Sequence, residues 1–198
     1  MPIEFEAPKP ITNAQFVLKT VAEEMMRPKS RYFDEHEHEI PWDYIEFMHS
    51  AMKAMGGSSL APHENGNGKD AEKEKRPPIG YQLIAAQLET LSWGDVGMYH
   101  CLPGGGLGAA AVHSAGTADQ RVKFLSRFNG DKPTFAAMCI TEAGAGSDNS
   151  AIRTRAVLDE KTNEWVINGE KIFVTGGDKS FTEYEKLGRG FIVVWASI

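Results

Sequence analysis

Two cysteines, Cys101 and Cys139, are all that the chain contains, too few for a disulfide framework, and no C-x-x-C pair offers a metal-binding spacing. That usage fits a reducing compartment, and the cytoplasm is the expected location. Basic charge is also short. With 21 Lys and Arg against 27 Asp and Glu the net charge is −6, the wrong sign for gripping phosphate backbones, so nucleic acid is not an expected partner. No stretch approaches the roughly 20 apolar residues that a membrane span needs. The start, Met1-Pro-Ile-Glu-Phe-Glu6, has neither the basic nor the apolar region of a secretion signal. Internal repeats are missing too. What is present is 198 residues at 41% hydrophobic content, enough to bury a core in one large or two small domains.

The first part reads as helical. Val17, Leu18, Val21, Ala22 and Met25 recur at three- and four-residue steps, which predicts a helix over 13–27 with Thr12 or Asn13 as N-cap and Pro28 as terminator. A second helix is expected from Pro41, with Ile45, Met48, Met52 and Met55 on its core face and Gly56-Gly57 as its stop. Residues 56–79 turn to Gly, Ser, Asn, Pro and mixed charge and are expected to form a mobile surface loop. Helical spacing returns with Tyr81, Ile84, Ala85, Leu88 and Leu91, and breaks near Trp93-Gly94 and at Pro103 to Gly106. A short Ala-rich helix follows over 107–113. Thr117 and Gln120 form a capping-box pair that starts a further helix, ended by Gly130-Asp-Lys-Pro133.

After Pro133 the period changes. Phe135 to Ile140 is a continuous apolar run, and Ile152, Thr154, Ala156 and Leu158 alternate with polar residues, so the second part reads as strands. Asp159 to Glu164 supplies one turn, Asn168-Gly169 a tight hairpin turn, and Phe191 to Trp195 a last strand.

Within that β-region the segment Met138-Cys-Ile-Thr-Glu-Ala-Gly-Ala-Gly-Ser-Asp-Asn-Ser-Ala151 is the most specific feature. An apolar strand runs straight into a small-residue loop whose free N–H groups suit an anionic ligand. It resembles the flavin-binding loop of the acyl-CoA dehydrogenase family, which reads small, aliphatic, Thr or Ser, Glu, two free positions, small, Gly, Ser, Asp. Here these are Cys139, Ile140, Thr141, Glu142, Ala143-Gly144, Ala145, Gly146, Ser147 and Asp148. Downstream, Ile167-Asn-Gly-Glu-Lys-Ile-Phe-Val-Thr-Gly176 is similar to the family's Leu-Asn-Gly-x-Lys-x-Trp-Ile-Thr-Asn segment, at the family's spacing and in its order. Weaker likeness continues upstream through Gln87–Asp95 and Thr117–Leu125.

The resemblance implies an α+β chain, with an N-terminal all-α helical domain over 1–133 followed by part of an antiparallel middle β-domain, a truncated β-barrel, over 134–198. The family's C-terminal helical bundle is absent from this sequence. FAD is the implied cofactor. Met138, Cys139, Ile140, Thr141, Gly146, Ser147, Phe173, Val174 and Thr175 are the residues implied to hold it. In this reading the strand end lies beside the isoalloxazine ring, with the Thr141 hydroxyl at the edge where hydride arrives. Gly144 and Gly146 admit close backbone approach. Ser147 donates to phosphate oxygens of the flavin or of the CoA substrate. Phe173 keeps an aromatic where the family usually has Trp, without the indole N–H.

The implied reaction is α,β-dehydrogenation of an acyl-CoA thioester in fatty-acid metabolism, with electron-transfer flavoprotein as acceptor and a homo- or hetero-oligomer of related subunits as the assembly. The family's base is a Glu in the C-terminal bundle, so no residue here is assigned as catalytic, and the chain alone is expected to be inactive and to retain flavin weakly. A non-catalytic or partner-dependent subunit or fragment of an acyl-CoA dehydrogenase-like complex is the alternative, and a flavoenzyme acting on something other than a thioester is a third reading.

Rival readings are weaker. Gly144-Ala-Gly146 opens like a dinucleotide motif, but its third glycine position is Asn149 and the following alternation is not that of a helix. Glu142 and Asp148 read as residues that fix the loop by bonding backbone N–H groups. His36-Glu-His-Glu39 lacks the i, i+4 spacing of a helical metal pair and reads as a solvated connector. Cys139 has no His or Lys beside it in sequence and reads as a small apolar strand residue. His49, His100 and His113 read as structural or surface residues.

Overall fold

The computed structural model describes residues 7–54, 79–102, 106–187 and 189–198. The loop expected over 56–79 lies outside them except for Ile79, as do Met55, the Gly56-Gly57 stop and Pro103 to Gly105. The chain divides into two compact units, whose described parts are 7–48 with 79–102, and 49–54 with 106–187 and 189–198.

The first unit is helical. Helix α1 (Lys9–Val21) passes through a π-helical segment, Ala22–Met26, directly into α2 (Arg27–Glu35). The stop expected at Pro28 therefore does not occur. In the π segment the Arg27 N–H reaches back to the Ala22 carbonyl, and this wider turn lets Pro28 fall in the first turn of α2, where its missing N–H forfeits no bond. Ala22 and Met26 are fully buried there. His36 to Glu39 connect α2 to α3 (Trp42–Ala54) as an exposed link. On α3 the expected face is buried, with Ile45, Met48 and Met52 joined by Tyr44. Helix α4 (Gly80–Gly94) packs on α1. Its buried residues are Ala86, Leu91 and Gly94, while Tyr81, Ile84 and Leu88 are exposed. The run Leu83-Ile-Ala-Ala86 is apolar on successive positions, so periodicity alone does not select a face. Asp95 ends α4 and caps α5 (Val96–His100), accepting from the Met98 N–H at 2.7 Å and from the Ser30 hydroxyl at 2.5 Å.

The second unit begins with α6 (Gly106–Ala115) and α7 (Ala118–Leu125). The expected capping box is present, with the Gln120 N–H donating to the Thr117 hydroxyl and the Thr117 N–H to the Gln120 side chain. Strands β1 (Ala136–Cys139), β2 (Arg155–Asp159), β3 (Glu164–Asn168) and β4 (Phe191–Val194) follow, with helix α8 (Gly177–Leu187) before β4. The order of helices first and small sheets second is that of an α+β chain. Among the described residues the strands form two pairs and no closed barrel.

Three strand-level expectations change. The pair β1–β4 is parallel, Ala136 opposite Phe191 through Cys139 opposite Val194, because the long connection through the hairpin and α8 is a crossover. Of the two strand pairs among the described residues, β2–β3 is the antiparallel one, turning at 160–163 with Asn163 at φ +55°. The expected hairpin turn at Asn168-Gly169 is absent. Gly169 instead crosses so close to Thr154 that a Cβ would lie 2.7 Å from the Thr154 Cα. Finally, a helix stands where only strands were expected: α8 packs on β1 and β4, with Ser180 fully buried and its hydroxyl donating to the Gly176 carbonyl at 2.8 Å.

Candidate functional site

Strand β1 buries Ala137 and Cys139, while Met138 and Ile140 are half-buried. Helix α6 lies close against it, since a Cβ on Gly108 would fall 2.8 Å from the Ala137 carbonyl oxygen. The strand end is held on the main chain. The Cys139 carbonyl accepts from the Trp195 N–H at 2.9 Å, and the Thr141 carbonyl accepts from the Ile172 N–H at 2.9 Å. The second bond brings together two motifs that lie far apart in sequence, with Thr141 on one side and Ile172 to Thr175 on the other.

Behind Thr141, Glu142 is buried at 8% exposure. Its Oε1 accepts from Lys171 Nζ at 2.8 Å, the Thr154 hydroxyl at 2.6 Å and the Thr154 N–H at 2.9 Å, and its Oε2 from the Arg153 N–H at 2.8 Å. These donors, the Lys171 ammonium first, lower its carboxyl to about 2 despite burial. Glu142 therefore fixes the loop through backbone N–H groups, as expected from sequence. Asp148 does the same, accepting from the N–H and hydroxyl of Ser150. Between them Glu142 and Ala145 exchange backbone hydrogen bonds of 3.0 and 3.1 Å, closing a tight turn with Ala145 buried.

The outer half of the loop is open. Gly144, Gly146 and Ser147 are exposed, and a Cβ on either glycine would meet nothing within 4 Å. Phe173 is 87% exposed at φ +58°, a left-handed conformation that costs a bulky residue about 1 kcal/mol. Val174 is half-buried, Thr175 exposed, and the Val174 carbonyl accepts from the Gly177 N–H at 3.1 Å.

Two residues here were not singled out from sequence. In sequence Lys171 is only a matched position of the 167–176 segment with no role given, and it joins Glu142 across 29 positions, a separation with no local signal. Thr154 was legible only as a polar residue in an otherwise apolar alternation. Lys171 also approaches Cys139 and opposes, without overcoming, the burial that pushes its thiol upward.

Two cavities are lined by none of the loop residues. One, of about 390 Å³, is lined by Arg27, Ser30, Arg31, Asp34 and Asp95. Its two arginines face two aspartates, a balance that does not favour a polyanion. The other, of about 230 Å³, is lined by Ala111, Val112, Ala115, Gly116, Gln120, Phe124 and Val193, and is smaller than the ~300 Å³ at which ligand clefts usually begin.

A family model for the acyl-CoA dehydrogenase middle domain matches residues 137–182, a span holding both the loop and the 172–175 segment. The chain is 33% identical over 156 residues to a probable medium-chain specific acyl-CoA dehydrogenase 2, mitochondrial, of Caenorhabditis briggsae, covering 79% of this chain and 34% of that protein. Among solved structures it is similar to an acyl-CoA dehydrogenase from Geobacillus kaustophilus, with TM-score 0.62, 20% identity, and 98% of this chain on 44% of that one. It is also similar to a glutaryl-CoA dehydrogenase from Mycobacterium smegmatis in complex with FADH2, with TM-score 0.60, 20% identity, and 87% of this chain on 40% of that one. The chain thus spans about a third of that curated relative and two-fifths of those structures. The family model and the curated relative both point to the acyl-CoA dehydrogenase family, and the solved structures share the fold of this chain.

Proposed function

We propose that this chain forms part of an FAD-dependent acyl-CoA dehydrogenase and supplies one wall of its flavin and thioester site. The observation that carries the proposal is the Ile172 N–H to Thr141 carbonyl bond, which ties the start of the small-residue loop to the residue before Phe173. The residues fit a flavin. The space over Gly144 and Gly146 is not filled by protein, and Phe173 holds an aromatic face outward.

In this reading Met138 to Thr141 line the ring edge, Thr141 offers its hydroxyl there, and Phe173, Val174 and Thr175 cover a further part. Gly146 lets backbone N–H groups near the diphosphate, and Ser147 donates to phosphate oxygens of the flavin or the CoA thioester. A flavin held by these residues would supply the hydride acceptor for the substrate β-hydrogen. Removal of the α-proton requires a general base, and it is assigned to a carboxylate outside this chain. Electron-transfer flavoprotein as acceptor and an oligomeric assembly belong to the same proposal.

The test is turnover by the complete protein. Acyl-CoA thioesters of graded chain length are offered with an artificial electron acceptor, and acceptor reduction with at least one of them is expected. No reduction with any thioester, by protein that carries flavin, would reject the substrate class.

A further inference from the structure

Lys171 lies two positions before Phe173, and its side chain is 8% exposed. A buried ammonium persists only where it is paired and hydrogen-bonded, and this one donates to Glu142 Oε1 at 2.8 Å and to the Ile140 carbonyl at 2.8 Å. The Ile140 bond falls one residue before Thr141, and the main-chain bond to Thr141 comes from Ile172, one residue after Lys171. Two adjacent ties thus join the same two segments, one through a side chain and one through the backbone. Glu142 does not depend on Lys171 for its own place, because the Arg153 and Thr154 N–H groups and the Thr154 hydroxyl hold it independently.

We propose that Lys171 is a positioning residue that, from its bonds to the Ile140 carbonyl and Glu142, sets the separation between Thr141 and Phe173 to Thr175 and so the width of the flavin site. This rests on the flavin reading of that site. Flat-ring recognition is sensitive to such spacing, since supporting residues must hold a constellation within roughly 0.5 Å. Removing the ammonium while keeping the stem therefore opens the site and leaves the Glu142 anchor in place.

The experiment compares Lys171→Met with Thr154→Val. The second weakens the Glu142 cluster but leaves the bond to Ile140. Three readouts are taken on the 198-residue chain: melting temperature, FAD affinity by flavin fluorescence quenching, and hydrogen exchange at the Ile172 amide. Lys171→Met is expected to weaken FAD binding about tenfold or more and to speed Ile172 exchange about tenfold, as a small displacement at a tight site does. Thr154→Val should lower the melting temperature while changing FAD affinity less than about threefold.

Flavin affinity that falls in both variants in step with stability, or that is unchanged in Lys171→Met, would overturn the proposal. If the unaltered chain takes up no FAD, the flavin reading loses its support, and positioning is then judged by the Ile172 amide alone: faster exchange in Lys171→Met supports it, and unchanged exchange rejects it. Should Lys171→Met not fold, Glu142→Gln tests the Glu142 side of the tie, because it removes the charge partner of Lys171 while its one carboxamide oxygen still accepts from the Thr154 N–H and only the Arg153 bond is lost. The same thresholds apply.

Discussion

The two halves of the loop between Thr141 and Asp148 are built in opposite ways. At the inner end Glu142 takes four hydrogen bonds and is almost wholly buried. At the outer end Gly144, Gly146 and Ser147 stand in the open, with empty space above both glycines. A binding loop needs both. The rigid end places the backbone, and the bare end lets a ligand come near it without first displacing side chains.

The contrast breaks most sharply at glycine. Gly169→Ala would set a Cβ 2.7 Å from the Thr154 Cα beside the anchor, and a loss of about 3 kcal/mol in denaturant unfolding is expected. An unchanged midpoint would show that the close approach is not required. Acid is the next strongest probe. The Glu142 carboxyl lies near 2 in the folded chain against an ordinary 4.5, so its contribution is complete above about 4.5 and is lost as pH falls toward 2. Acid unfolding should therefore be steeper in the native chain than in Glu142→Gln over that window. Equal slopes would mean that the carboxylate is not anchored. The smallest effect on stability belongs to the open end. Gly146→Ala is expected to change unfolding by less than about 0.5 kcal/mol while still weakening flavin binding. A large loss of stability there would place the outer half in the core as well.

Much of this was legible in sequence where the signal is local. The Thr117–Gln120 capping box, the buried face of α3 and the apolar run of β1 follow from spacing a few residues long. The anchoring role of Glu142 and Asp148 followed from carboxylates flanking a small-residue turn. What escaped depends on distance or context. Pro28 reads as a stop unless the π segment before it is known, and that segment forms around the burial of Ala22 and Met26. Asn168-Gly169 reads as a turn, but this glycine is needed for a neighbour, not for a reversal. The α8 segment spaces Phe181, Tyr184 and Leu187 at three-residue steps, a helical signal too short to stand out among its charged residues, and it packs on β1 and β4. Parallel pairing of β1 with β4, and Lys171 beneath Glu142, are set by the path of the chain between them.

The central claim is that the loop from Cys139 to Ser147 and the segment from Ile172 to Thr175 receive a flavin together. Adding FAD to the isotope-labelled chain and mapping backbone amide shifts tests it most directly. Shifts concentrated in those two segments, titrating with one affinity, are the expected result. Shifts confined to the arginine-lined cavity around Arg27 and Arg31, or absent from both segments at saturating FAD, would contradict it.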